Sequence, residues 1–271
     1  MGTRSGGEAG ACISTPQTTV SAYPALSFVG VDYGYRRGKH VVSVLARISL
    51  EVFAQEVISV LAERAQGKTT FLRVAAGTAR PRAGRVLLSG EDVWGLPDKR
   101  RSRLLGTEIG WVDTASPEVR APALTYVALP LMRVHGQREA YARARDALAR
   151  VGAAECADQY WEELADWERA LVAVAQGIAR EPRLLLVDDV MTTLGIVESE
   201  ELGFSLATLA REMGFAVLAS ASDANATIWS DRVASLAGGE LLLASPPTRA
   251  RTNVIELPMH DATGHSTQSA S

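Results

Sequence analysis

The residues with chemistry to offer lie in two short stretches. In the first, residues 57–77 (VISVLAERAQGKTTFLRVAAG), a Gly67-Lys68-Thr69-Thr70 run sits between a β-branched segment and an apolar helical one. Backbone N–H groups of a loop that opens a helix cradle phosphate oxygens, a lysine reaches the terminal phosphates, and a threonine hydroxyl ligates magnesium. The pattern assigns Ala62, Ala65, Gln66, Gly67, Lys68, Thr69 and Thr70 to a phosphate-binding loop. The full motif has glycine six residues before the lysine; Ala62 stands there, and Ala65 fills another position that is commonly glycine. Alanine keeps its N–H, so no donor is lost, but an alanine held at positive φ costs about 1–2 kcal/mol. Two such costs would weaken phosphate binding roughly ten- to a thousand-fold. In the second stretch, residues 183–189 (RLLLVDD), a hydrophobic run ends in Asp188 and Asp189. A carboxylate at the carboxyl end of a buried strand is placed to hold a metal ion or to serve as a base.

The elements that must position these groups follow from periodicity. Residues 57–61 read as a buried strand, 69–76 as a helix stopped by Gly77, and 183–187 as a fully buried strand. Further strands are expected at 25–31, in two short runs within 41–51, and at 84–90, 109–112 and 215–219. A hairpin is expected across Gly238-Gly239 from 231–236 to 240–244. From about residue 115 the pattern turns helical. Residues 137–151 place Ala140, Ala144, Ala147, Leu148 and Val151 on one stripe, 164–180 form a second helix ended by Pro182, and 202–213 a third. Strands alternating with helices, interrupted by a helical block at about 115–180, give an α/β fold with a mixed sheet core and an inserted α-helical subdomain. The organisation expected is a disordered tail at 1–24, one domain at 25–245, and a disordered tail at 246–271.

Composition bounds the function. The chain has 271 residues, 47% hydrophobic and 22% charged, ordinary values for a globular protein. A net charge of −3 argues against a nucleic-acid partner held by a basic face. Two cysteines, Cys12 and Cys156, do not suggest a disulfide framework and fit the cytoplasm. No apolar run approaches the roughly 18 residues of a membrane span. The four histidines show no zinc-ligand spacing.

The two motifs, in this order, resemble those of the ATP-binding subunits of ABC transporters, over about residues 26–244. The phrase VALPLMRVHGQ (residues 127–137) is similar to the lipoprotein-release and macrolide-export class, and Asp231-Arg232 before a glycine-turn hairpin fits as well. The resemblance implies a P-loop NTPase fold of ABC ATPase type, with ATP and Mg as cofactors. It makes Lys68 the phosphate lysine, Thr69 and Asp188 the magnesium ligands, and Asp189 the occupant of the catalytic glutamate position, one methylene short. Tyr35 is placed to stack on adenine or is a surface tyrosine, with Tyr33 its rival.

Other family positions are altered. Thr114 replaces a metal- and water-contacting glutamine. LADWE (residues 164–168) replaces the Leu-Ser-Gly-Gly-Gln signature, so Ala165 lacks the hydroxyl, Asp166 brings a negative charge toward phosphate, and Trp167 puts bulk where bare backbone must approach. Gly195 replaces an aspartate, and Ser222 stands in place of the switch histidine. The expectation is a degenerate subunit that binds MgATP weakly and has weak or no ATPase activity. It would pair in a homo- or heterodimer and dock on a membrane permease subunit, peripheral at the inner face of the cell membrane. The alternative is a nucleotide-independent pseudo-ATPase that scaffolds or regulates a transporter. A soluble P-loop kinase or nucleic-acid ATPase fits the acidic balance less well.

Overall fold

The structure, a computed structural model, describes residues 23–38, 40–222 and 228–244. The tails expected at 1–24 and 246–271 lie outside the described residues, save Tyr23 and Pro24.

Two sheets share the sandwich. The first is antiparallel, in the order β2 (His40–Val52), β1 (Leu26–Arg37), β4 (Ala83–Leu88), β5 (Glu91–Asp92). The second carries the chemistry. Its order is β10 (Glu240–Ala244), β9 (Arg232–Ala237), β3 (Val57–Leu61), β8 (Ala216–Ala221), β7 (Leu184–Val187), β6 (Ile109–Val112). From β9 to β6 every pair is parallel; β10 returns antiparallel. The helices are α1 (Lys68–Ala75), α2 (Asp98–Glu108), α3 (Ala123–Ala128), α4 (Gln137–Arg150), α5 (Asp166–Ile178) and α6 (Ile196–Met213).

The strands of the parallel sheet are apolar on both faces because both faces are covered. In β7, Leu185 and Val187 enter one core with the helices α3 to α6, while Leu184 and Leu186 enter the other with α1 and the antiparallel sheet. Val217 and Ala219 of β8 alternate with Ala216 and Leu218 in the same way. The period of two thus stitches two cores through one sheet. Contact between α5 and β6 depends on two glycines. A Cβ on Gly110 would lie 2.2 Å from the Gly177 carbonyl oxygen, too close for any side chain to stand there.

Some boundaries differ from the sequence expectation, each for a physical reason. The two short runs expected in 41–51 are one strand. Buried residues step from Leu45 to Ile48, and Arg47 takes φ 50 between them, so a local irregularity hides the period. The strand expected at 25–31 runs on to Arg37. Helix α2 was not expected, since none of its residues is buried and no apolar stripe marks it. The helical block begins at Ala123 rather than 115. Helix α6 starts six residues early: Ile196 and Val197 are exposed, which masks the amphipathic pattern, and the Gly195 N–H is taken by the Glu198 carboxylate at 3.0 Å.

Candidate functional site

Ligands of open α/β sheets bind beyond the carboxyl ends of the strands. Here four neighbouring parallel strands deliver polar groups to one such edge. β3 leads into the loop 62–67 and α1; β7 ends at Asp188 and Asp189; β8 carries Ser220 and ends before Ser222; β6 ends before Asp113 and Thr114.

The loop is fixed at both ends. The Ala62 N–H donates to the Ala221 carbonyl at 3.1 Å, and the Phe71 N–H to the Gly67 carbonyl at 2.8 Å. Gly67 caps α1 at φ 98, a value that favours glycine; a Cβ there would also meet Val44 at 2.6 Å. Ala65 is held at φ 63, whereas Ala62 is not among the positive-φ residues. The strain foreseen for two alanines therefore falls on one. Gln66 lends its side-chain oxygen to the Gly238 N–H at 3.4 Å, tying the loop to the β9–β10 turn.

Lys68 is only 6% exposed. Its ammonium donates to the Ala62 carbonyl at 3.2 Å and to the Ser222 hydroxyl, and pairs with Asp189 Oδ1 at 3.3 Å. Thr69 donates to Asp188 Oδ1 at 3.3 Å. Thr70 shares a hydrogen bond of 2.7 Å with the Tyr35 hydroxyl, and the Tyr35 ring meets Tyr33 edge-on at 5.2 Å. Tyr35 is thereby placed beside α1 and stays 45% exposed.

Asp188 is the electrostatic centre. Burial pushes its carboxyl above the ordinary value, and the charges of Asp189 and Asp113 push the same way, against hydrogen bonds from Thr69 and Ser220. Asp113 is itself held by the Trp111 indole N–H at 2.7 Å. Asp189 sits at φ 51, a left-handed position that aspartate tolerates. Ser220 went unnoticed in the sequence. It is 5% exposed; its oxygen accepts the Asp189 N–H at 2.8 Å and lies 3.2 Å from Asp188 Oδ1 and 3.4 Å from Asp189 Oδ1. The available signal was a serine inside the apolar run AVLASA of a wholly buried strand.

A cavity of about 300 Å³ opens against this edge, lined by Arg64, Asp189, Thr192, Ser220 and Ser222 among others. A second, of about 310 Å³, brings Thr114 together with Asp166, Trp161 and Thr193. Among the described residues no hydrogen bond or ion pair joins Ala165, Asp166 or Trp167 to Lys68, Thr69 or Asp188. The Ala165 N–H goes to Glu168 at 2.8 Å, Asp166 pairs with Arg169 at 2.9 Å, and Trp167 packs on the helical core. The Arg169 partner offsets part of the negative charge that Asp166 brings to the start of α5. Gly195 stands at φ −66, a conformation open to any residue.

Thr69 and Asp188 offer a hydroxyl and a carboxylate within hydrogen-bond distance of each other. Two oxygen ligands suit magnesium, which keeps waters and substrate phosphates in its remaining positions. No group of three or more His, Cys, Asp or Glu side chains forms a metal cage among the described residues.

The sequence profile described as ABC transporter matches residues 45–192. The lipoprotein-releasing system ATP-binding protein LolD 2 of Caulobacter vibrioides is 32% identical over 225 residues, covering 81% of this chain and 97% of that protein. Among solved structures, the dimeric bacterial ABC transporter cassette MJ0796 superposes with a TM-score of 0.72 at 23% identity, over 80% of this chain and 96% of its own. The same cassette in a post-hydrolysis state with ADP and Pi gives 0.74 at 22% identity, over 81% and 98%. The fold is that of an ABC-type P-loop ATPase cassette.

Proposed function

The chain belongs to the ABC transporter family, among its ATP-binding subunits, and from that premise we propose that it binds MgATP weakly, hydrolyses it slowly or not at all, and couples to a membrane permease subunit. The observation that carries this is the convergence of Lys68, Thr69 and Asp188 at the carboxyl edge of the parallel sheet. Lys68 would meet the terminal phosphates, Thr69 and Asp188 would hold the magnesium ion, and the ring of Tyr35 would flank the base. Bound there, magnesium would offset phosphate charge.

Hydrolysis is the weak point. Removing one transition-state polar contact typically costs about 10²–10³ in rate. Thr114, Asp189 and Ser222 alter three such groups at once, and Asp189 presents its carboxylate one methylene short. In a head-to-tail dimer of ATP-binding subunits, Ala165, Asp166 and Trp167 would face the partner's nucleotide without the hydroxyl or the bare backbone that grips phosphate. The pairing is with itself or with a related subunit. The lipoprotein-releasing relatives support a lipoprotein cargo, within a wider class of lipids and hydrophobic compounds. No helix among the described residues is long and apolar enough to cross a membrane. In this proposal attachment at the inner membrane face runs through the permease, by way of the helical block (about 115–180) and the Thr114 region.

A second reading, a nucleotide-independent scaffold or regulator, is favoured by one observation: Lys68 already spends its donors on Ala62, Ser222 and Asp189. Calorimetry with MgATP up to several millimolar, on wild type and Lys68→Ala in parallel, separates the two. Binding that Lys68→Ala abolishes is expected. Absence of binding to folded wild type would sink the nucleotide reading and leave the scaffold.

A further inference from the structure

We propose that Ser220 is a positioning residue for the metal–nucleotide complex, holding the Asp188 carboxylate in place for the cation; this rests on the nucleotide reading above. The geometry is specific. The Ser220 oxygen accepts the Asp189 N–H at 2.8 Å, which anchors it to the main chain at the end of β7. Its single hydrogen then has two carboxylate oxygens to choose from, Asp188 Oδ1 at 3.2 Å and Asp189 Oδ1 at 3.4 Å. Thr69 donates to the same Asp188 Oδ1. Among the described residues, both hydrogen bonds on that carboxylate thus fall on one oxygen, and Oδ2 carries none.

The division of labour follows. A threonine that binds a cation through an oxygen lone pair keeps its hydrogen for Asp188, so Thr69 serves the cation and the carboxylate at once, whereas Ser220 serves the carboxylates alone. Ser220 is the second hydroxyl on Asp188 Oδ1, and it cannot swing away, because it is buried and bound to the Asp189 N–H. Partners behind a metal ligand fix its orientation, and losing one typically costs about 10–100-fold in metal affinity. The same hydroxyl also reaches Asp189, so one side chain sets the relative placement of both acidic groups.

The test measures affinity for a non-hydrolysable ATP analogue by calorimetry, with Mg²⁺ and with EDTA. It compares wild type, Ser220→Ala, and the shape-matched pair Ser220→Thr and Ser220→Val, each checked for a folded-state melting transition. The expected result is a loss of about 10–100-fold in the strengthening that Mg²⁺ confers, in Ser220→Ala and Ser220→Val. Ser220→Thr should keep most of that strengthening, and affinity in EDTA should be unchanged in all four. A merely structural serine would shift melting while leaving the Mg²⁺ dependence alone. Equal strengthening in wild type and Ser220→Ala, or none in a wild type that binds the analogue, overturns the inference and leaves weak nucleotide binding standing. A folded wild type that binds no analogue in either condition overturns both.

Discussion

Replacing Ala65 by glycine should stabilise the protein without tightening its hold on nucleotide. Ala65 stands at φ 63 in the ligand-free chain, so its strain is already present before any phosphate arrives. A left-handed conformation costs a non-glycine residue about 1–2 kcal/mol. Glycine gives back part of that, about 0.4–1 kcal/mol, through the greater freedom of the unfolded chain. The net gain is roughly 0.5–1 kcal/mol, which for a chain of this size raises Tm by roughly 1–4 °C. Ala62 is the internal control. It is not at positive φ, it is buried, and both its N–H and its carbonyl are bonded. Ala62→Gly should therefore lower stability by about 0.4–1 kcal/mol. Scanning calorimetry on the three proteins reads the first quantity, and MgATP titration the second. Affinity should change by less than about threefold in Ala65→Gly. A fall in Tm for Ala65→Gly, or a rise in Ala62→Gly of equal size, would refute the strain assignment. Tenfold tighter MgATP binding at unchanged Tm would show instead that the loop adopts its strained form only on binding.

Two further outcomes follow from groups in and beside the helical block. Burial, with the charge of Asp113, raises the Tyr126 phenol to about 12, against the Gln176 side chain pulling it down. The folded state then holds its proton more tightly than the unfolded one. Stability is full below the unfolded value of about 10 and falls as pH rises from there toward about 12. Tyr126→Phe should flatten that fall by roughly 2 kcal/mol in urea midpoints taken across the alkaline range; parallel curves for the two proteins would contradict it. Arg180 donates to the Gly106 carbonyl at 2.9 Å and the Pro130 carbonyl at 2.6 Å, clamping α2 to the end of the α3 segment. Arg180→Met should cost roughly 1.5–3 kcal/mol and speed amide exchange in residues 123–134, whereas unchanged exchange there would mean the clamp carries no load.

How much of this was legible in the sequence depends on what each element buries. β3, β6 and β7 were readable to within a residue because their alternation serves two cores, with Ser59 the single serine or threonine among them. The β9–β10 hairpin was readable from Gly238-Gly239, since both residues take positive φ. Helix α2 was not, since it buries no residue and so leaves no stripe in the sequence. In the site, Lys68, Thr69 and Asp188 could be named because a strand end and a helix start fix their positions. Ser220 was passed over because its neighbours in β8 are all core residues, and a lone hydroxyl in such a run reads as filler until its partners across β7 are known.

On the proposed reading, bonding into the fold separates Lys68, Thr69 and Asp188 from most of the altered positions, with buried Ala62 and the Lys68-paired Asp189 as exceptions. Lys68 is buried, and Thr69 and Asp188 are half-buried. Each is bonded into the P-loop or across to β8, so its loss would leave a carbonyl, a hydroxyl or a carboxylate without its partner. Ala165, Asp166, Gly195 and Ser222 are exposed, and Thr114 and Trp167 lie half-buried at the rim. Apart from the Ser222 hydroxyl on Lys68 and the packing of Trp167 on the helical core, the fold makes little demand on that outer set. Its residue types are constrained chiefly by a nucleotide or a second subunit pressed against it. A relaxed demand for fast hydrolysis would change the outer set first and leave the inner set in place, because the inner set also serves the fold. Ala62 and Asp189 apart, the alterations proposed for this chain would follow that order. Retention of Lys68 therefore weighs less than its three bonds suggest, and the Mg²⁺ dependence set by Ser220 and Asp188 becomes the sharper measure of whether the site still works on nucleotide.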